Sequence, residues 1–155
     1  LTQIKQDSEH SIEILLPFLQ RSLDKPFRIL PIMVLQQDPR LMNILGTALV
    51  KHLRGKQAIL VASTDLSHFY TAPEAEDLDR TIIKQITELD PEGIFQAEQQ
   101  GKGYACGKGG LAAVIWAAKG LGANQALHLK YAHSGEITGD LSRVVGYEAA
   151  AILRD

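Results

Sequence analysis

The chain has 155 residues, 45% apolar and 22% charged, a composition ordinary for a globular protein and consistent with a single domain, residues 1–155. Sixteen Lys plus Arg against 18 Asp plus Glu give a formal net charge of -2. That charge offers no basic field for a phosphate backbone, and no apolar run approaches the roughly 20 residues that span a bilayer, so neither a nucleic acid nor a membrane is an expected partner.

The start, Leu1-Thr2-Gln3-Ile4-Lys5, carries neither a methionine nor the pattern of a signal peptide, and it reads as a cut end. Asp7 or Ser8 can cap a helix with an apolar stripe of Ile12, Leu15, Leu16 and Leu19, which Pro17 is expected to kink or end. Phe27 to Leu35 is apolar and β-branched with little alternation, as in an inner strand covered on both faces. Asp38-Pro39 then opens a helix with Leu41, Ile44, Leu45, Ala48, Leu49 and His52 on its apolar face, stopped by Gly55.

Gln57 to Ala62 reads as a second inner strand running into the polar turn Ser63 to His68. Pro73 begins a helix with an acidic first turn and a buried stripe of Leu78, Ile82, Ile83 and Ile86, and Asp90-Pro91 starts a shorter one. Gly101 to Gly110 holds five glycines and reads as a loop ahead of a helix ending at Gly120 or Gly122. Two strands, Gln125 to His133 and Arg143 to Leu153, close the chain. The alternation implies a layered α/β fold.

In open α/β sheets, sites form beyond the carboxyl ends of strands, where Asp65, Ser67 and His68 fall after Ala62. Asp65 is near enough to orient the His68 imidazole and leave its other nitrogen as a base or ligand, although both residues also suit a turn and a surface. Cys106 precedes a helix beside Lys108, an environment that favours a thiolate, while a lone cysteine also serves as a small apolar residue. Being single, it excludes an intramolecular disulfide and an all-cysteine metal site, and a reducing cytoplasm suits it best. The stretch GKGYACGKGG lacks the spacing of a phosphate-binding loop. Glu9 and His10 stand at a helix start that can face a site. His128 and His133, an odd number apart, should point to opposite faces of their strand, and His52 should sit at the edge of the core. Glu136 and Asp140 either line a cleft or solvate a turn.

In order, EHSIEILLPFL (Glu9 to Leu19), STDLSHF (Ser63 to Phe69), ACGKGG (Ala105 to Gly110) and SGEITGDLSRVVGYEAA (Ser134 to Ala150) resemble the Memo family, also called AmmeMemoRadiSam system protein B. The resemblance implies a fold similar to the class III extradiol non-haem iron dioxygenases: a layered mixed sheet with helices on both faces, here incomplete at the amino end. It implies Cys106 as a metal ligand, His68 as the acid/base, Asp65 as its companion, and Glu9 and His10 lining the cleft. The family's two metal histidines, in a Pro-His-Ala-Gly strand end and an Asn-His turn, have no counterpart here. Fe(II), or else Cu(I) or Zn(II), is therefore expected to bind weakly or not at all to this chain alone.

The resulting expectation is a metal-dependent, dioxygenase-like redox protein whose substrate is left open, with a small aromatic molecule or a peptide as candidate partner. The rivals are a peptide-binding adaptor without catalysis and a metal-free cysteine hydrolase built on Cys106, His68 and Asp65. Self-association, or pairing with a missing amino-terminal half, is expected as well.

Overall fold

The computed structural model describes residues 10–155, and these fall into two compact units divided between Met33 and Val34. The first unit contains α1 (Ser11–Ser22), with His10 at its N-cap. The caps expected at Asp7 and Ser8 lie outside the described residues. Ile12, Leu15, Leu16 and Leu19 are its half-buried stripe, as their spacing predicts. Pro17 neither ends the helix nor shortens it, for α1 continues to Ser22.

The second unit begins with α2 (Pro39–Leu53). The Asp38 side chain caps it by accepting from the Arg40 and Leu41 amides, and Gly55, at φ +77°, follows its end. The buried positions are Met42 and Gly46 rather than Leu41 and Ile44, because α2 lies against α5 (Lys108–Gly120). A Cβ on Gly46 would come within 2.8 Å of the Trp116 Cβ and 3.0 Å of the Ala113 carbonyl oxygen. The missing side chain lets the two backbones approach. His52 is exposed and is not at the core edge.

Between these helices come β1 (His68–Tyr70), α3 (Ala72–Thr87) and α4 (Pro91–Gln99). Glu74 accepts from the Thr71 amide and hydroxyl at the start of α3, and Asp90 accepts from the Gly93 amide at the start of α4. Ile82 and Ile86 of α3, Ile94 and Ala97 of α4, and Leu111 and Ile115 of α5 form one core with Leu66 and Leu89. Tyr131, Ala126 and Ile152 pack against it from β2 (Gln125–His133) and β3 (Val144–Leu153), which α6 (Gly135–Thr138) separates in sequence.

The fold is α/β, and its strands form a three-stranded antiparallel sheet in the order β1-β3-β2. The two inner strands expected at Phe27 to Leu35 and Gln57 to Ala62 carry no strand pairing among the described residues. Leu30, Leu35 and Ile59 are exposed. An apolar run encodes the tendency to be covered, but a strand exists only where a neighbour supplies the ladder.

The histidine parity is overturned too. A bulge between His128 and Lys130 shifts the register, so that His128 pairs with Ala150 and His133 with Gly146. Those partners are four apart on β3, which puts both histidines on one face. His128 Nδ1 lies 2.7 Å from Glu148 Oε1, and burial pushes the Glu148 carboxyl up against the opposing pull of that contact.

Candidate functional site

The segment from Ser63 to His68 runs beside the loop that leads into α5, and backbone bonds stitch the two together. The Cys106 amide donates to the Asp65 carbonyl at 3.1 Å, and the Asp65 amide donates to Cys106 Sγ at 3.2 Å. Thr64 Oγ1 accepts from the Gly107 amide at 2.7 Å and lies 3.4 Å from the same sulfur. Gly107 has to be glycine here, since a Cβ would press on Thr64 Cβ at 2.9 Å and the Ser63 carbonyl oxygen at 3.0 Å.

Gln37 holds the loop from its other side. Its amide nitrogen donates to the Cys106 carbonyl at 2.9 Å, while its oxygen accepts from the Gly109 amide at 2.7 Å. The helix begins at Lys108, earlier than the glycine count suggests, because these bonds and the Gly107 contact fix the loop's last turn. Lys108 pairs with Glu98, so its cation is already engaged.

His68 opens β1 opposite Val145, with Nε2 3.4 Å from Asp65 Oδ2. That nitrogen is buried and makes no aligned hydrogen bond. Asp65, His68 and Cys106 each present a ligand atom, and the three atoms lie within 4.8 Å of one another. Cys106 is exposed, and the Asp65 and His68 side chains are 48% and 38% exposed, so the cluster opens to solvent. The donor set of one thiol, one imidazole and one carboxylate fits a borderline-soft or redox-active transition metal better than calcium or magnesium.

Phe69, next to His68, takes φ +66° and is 63% exposed, with the Arg143 guanidinium 5.0 Å from its ring centre. A phenylalanine in this backbone region costs about 1–3 kcal/mol and persists only where its surroundings impose it. Here β3 pairs with His68 on one side of it and Tyr70 on the other. The Tyr147 phenol is pushed up by burial and, secondarily, by the negative charge of Asp65.

The structure thus brings together Asp65, His68 and Cys106. His10 stands at the N-cap position of α1, without a side-chain capping bond, in the unit that ends at Met33, and Glu9 lies outside the described residues. Glu136 accepts from the His133 amide, and Asp140 accepts from the Ser142 amide and hydroxyl, which hold its carboxyl below the usual range; both serve turns. Gln37, Thr64 and Tyr147 escaped sequence reasoning. Thr64 had a signal, its place beside Asp65, whereas nothing near Gln37 in sequence marks it.

A family model described as Memo-like protein matches residues 1–151. A MEMO1 family protein of Methanosarcina barkeri is 40% identical over 146 residues, covering 93% of this chain and 55% of that protein. Relatives of the same description from Methanopyrus kandleri and Nitrosopumilus maritimus are 38% and 33% identical over 149 residues, covering 95% and 96% of this chain and 53% and 54% of their own lengths. The chain spans about half the length of the curated relatives it matches.

Proposed function

This chain belongs to the Memo family, and from that premise we propose that it forms part of a metal-dependent, dioxygenase-like redox centre, with Cys106 as a metal ligand and His68, supported by Asp65, moving protons. The observation that carries this reading is the convergence of the three donor atoms within 4.8 Å. Iron(II) or copper(I) bound there would supply redox chemistry, and zinc Lewis acidity.

The residues of this chain have separable tasks. Gln37 and Thr64 fix the Cys106 loop, and the Asp65 amide, donating to the sulfur, holds it beside the other two donor groups. The Asp65 carboxylate, 3.4 Å from Nε2, orients the His68 ring for the proposed proton transfer. A small aromatic molecule is the proposed partner, supported by the open cluster and the exposed Phe69 ring beside it. The proposed setting is the cytoplasm; among the described residues, no helix is long and apolar enough to cross a membrane.

Cobalt(II) titration under reducing conditions tests the ligand assignment. Weak binding with a sulfur-to-cobalt charge-transfer band is expected, abolished by Cys106→Ala and kept by His68→Ala. Loss of the band in His68→Ala would make His68 a ligand, and a band that survives Cys106→Ala would remove the thiolate from the centre. The metal-free hydrolase reading draws on the same convergence of nucleophile, base and carboxylate. It requires Cys106 alkylation by iodoacetamide to slow in His68→Ala, and cobalt(II) not to protect the sulfur.

A further inference from the structure

Asp79 is fully buried in α3, with no Lys, Arg or His ion pair to it among the described residues. Its two oxygens accept from two different donors. Oδ1 takes the Ser67 amide at 2.8 Å, and Oδ2 takes the Tyr131 hydroxyl at 2.8 Å. Burial and the Asp79 contact together push the Tyr131 phenol well above its ordinary range, so it stays a donor. A Cβ on Gly146 would collide with the Asp79 carboxylate, which makes glycine at that point of β3 a condition of the carboxylate's being there.

A buried carboxylate without a cation is expensive to keep. Stability alone is a poor reason for it, because an apolar residue fills the same volume more cheaply. What Asp79 grips is informative: Ser67 lies between Asp65, tied to Cys106 in both directions, and His68. Gly146 completes the grip, its amide donating to the Ser67 carbonyl at 3.0 Å and its carbonyl accepting from the Leu66 amide at 2.9 Å. The backbone between the thiol-bound end and the imidazole end of the cluster is therefore fixed by α3 on one side and β3 on the other.

We infer that Asp79 is a positioning residue, whose Oδ1 clamps the Ser67 amide and thereby sets where His68 stands relative to Asp65 and Cys106. The inference rests on the reading of that cluster as the functional centre. The Tyr131 hydroxyl and the space at Gly146 serve the clamp by orienting the carboxylate. The Ser67 hydroxyl, buried and without a partner, takes no part in it.

The test uses the whole chain without metal and reads the His68 ring by nitrogen-15 and proton NMR, with Trp116 emission reporting folding at the α2–α5 contact. Asp79→Leu keeps the shape but offers no acceptor, so the His68 ring signals should move while Trp116 emission stays native. Asp79→Asn keeps one acceptor oxygen for the Ser67 amide and should leave the His68 signals near those of the unaltered chain. A folded Asp79→Leu with unchanged His68 signals would overturn the inference, as would an Asp79→Asn that moves them equally. If Asp79→Leu does not fold, Asp79→Glu decides against Asp79→Asn: the added methylene should displace Ser67 and move the His68 signals, and equal spectra would refute the clamp. A cobalt(II) charge-transfer band that survives Cys106→Ala would sink the metal-ligand reading and leave this result intact.

Discussion

At the scale of single residues, the cluster owes its geometry to positions that carry no reactive group. Gly107 is the clearest, because the pressure on a Cβ there comes partly from the Ser63 carbonyl, and backbone cannot swing aside as a flexible side chain can. Gly107→Ala should therefore force the Cys106 loop away from Thr64, costing about 1–3 kcal/mol as overpacking. It should also weaken cobalt(II) binding, although neither sulfur nor imidazole has been touched. Urea unfolding and the charge-transfer band measure the two effects separately, and a stable variant with native cobalt affinity would show that the loop is not tightly held.

The reactive residues were legible because STDLSH places carboxylate and imidazole within one turn, and Cys106 is the only thiol in the chain. Asp79 was legible in principle: Ala75, Asp79, Ile82 and Ile86 keep helical spacing, and all four are buried. A charge on an apolar stripe signals a buried partner, yet that partner, Tyr131, lies 52 residues away in sequence. Periodicity says that a residue faces inward without saying what it meets.

Among the elements, helices followed their sequence signals more closely than strands did. Asp38, Thr71 and Asp90 mark the starts of α2, α3 and α4, since capping is settled within four residues. Strand pairing is not local. Thus β2 and β3 formed where expected, being paired with each other, while Phe27 to Leu35 and Gln57 to Ala62 have no partner among the described residues. Even in β2 one bulged residue reversed the face assigned to His133 relative to His128, which no alternation rule anticipates.

The start of α3 yields a pH prediction. The Thr71 hydroxyl, and next its amide, hold the exposed Glu74 carboxyl below its ordinary value of 4.5. A carboxyl depressed in the folded state adds stability that is present above the unfolded pKa and lost as pH falls through the folded one. Glu74→Gln should accordingly be less stable than the unaltered chain near neutral pH. The difference should shrink as pH drops below 4.5. Parallel denaturant unfolding across that range checks it, and a constant gap would show that Glu74 acts through shape rather than charge.

For the molecule as a whole, the weight falls on apolar surface. The unit from Val34 onward leaves Leu35 79% exposed and Ile59 74%, together with Val61 and, on edge strand β2, Leu129. Single exposed apolar residues need no explanation, but the run from Gln57 to Ala62 is a strand in sequence character without a ladder in the structure. Its backbone donors and acceptors and its side chains both favour an added strand. Two sources could supply one: another copy of this chain, or chain of the kind that makes the relatives nearly twice as long. We expect the 155-residue chain, studied alone, to associate in a concentration-dependent way, with Ile59→Lys and Val61→Lys raising the monomer fraction. Both changes fall on exposed side chains, and neither residue belongs to the cluster, so Trp116 emission should stay native. Light scattering coupled to gel filtration measures the effect. A chain that remains monomeric at high concentration, or association indifferent to both substitutions, would mean that this run is covered from within and leaves no open edge.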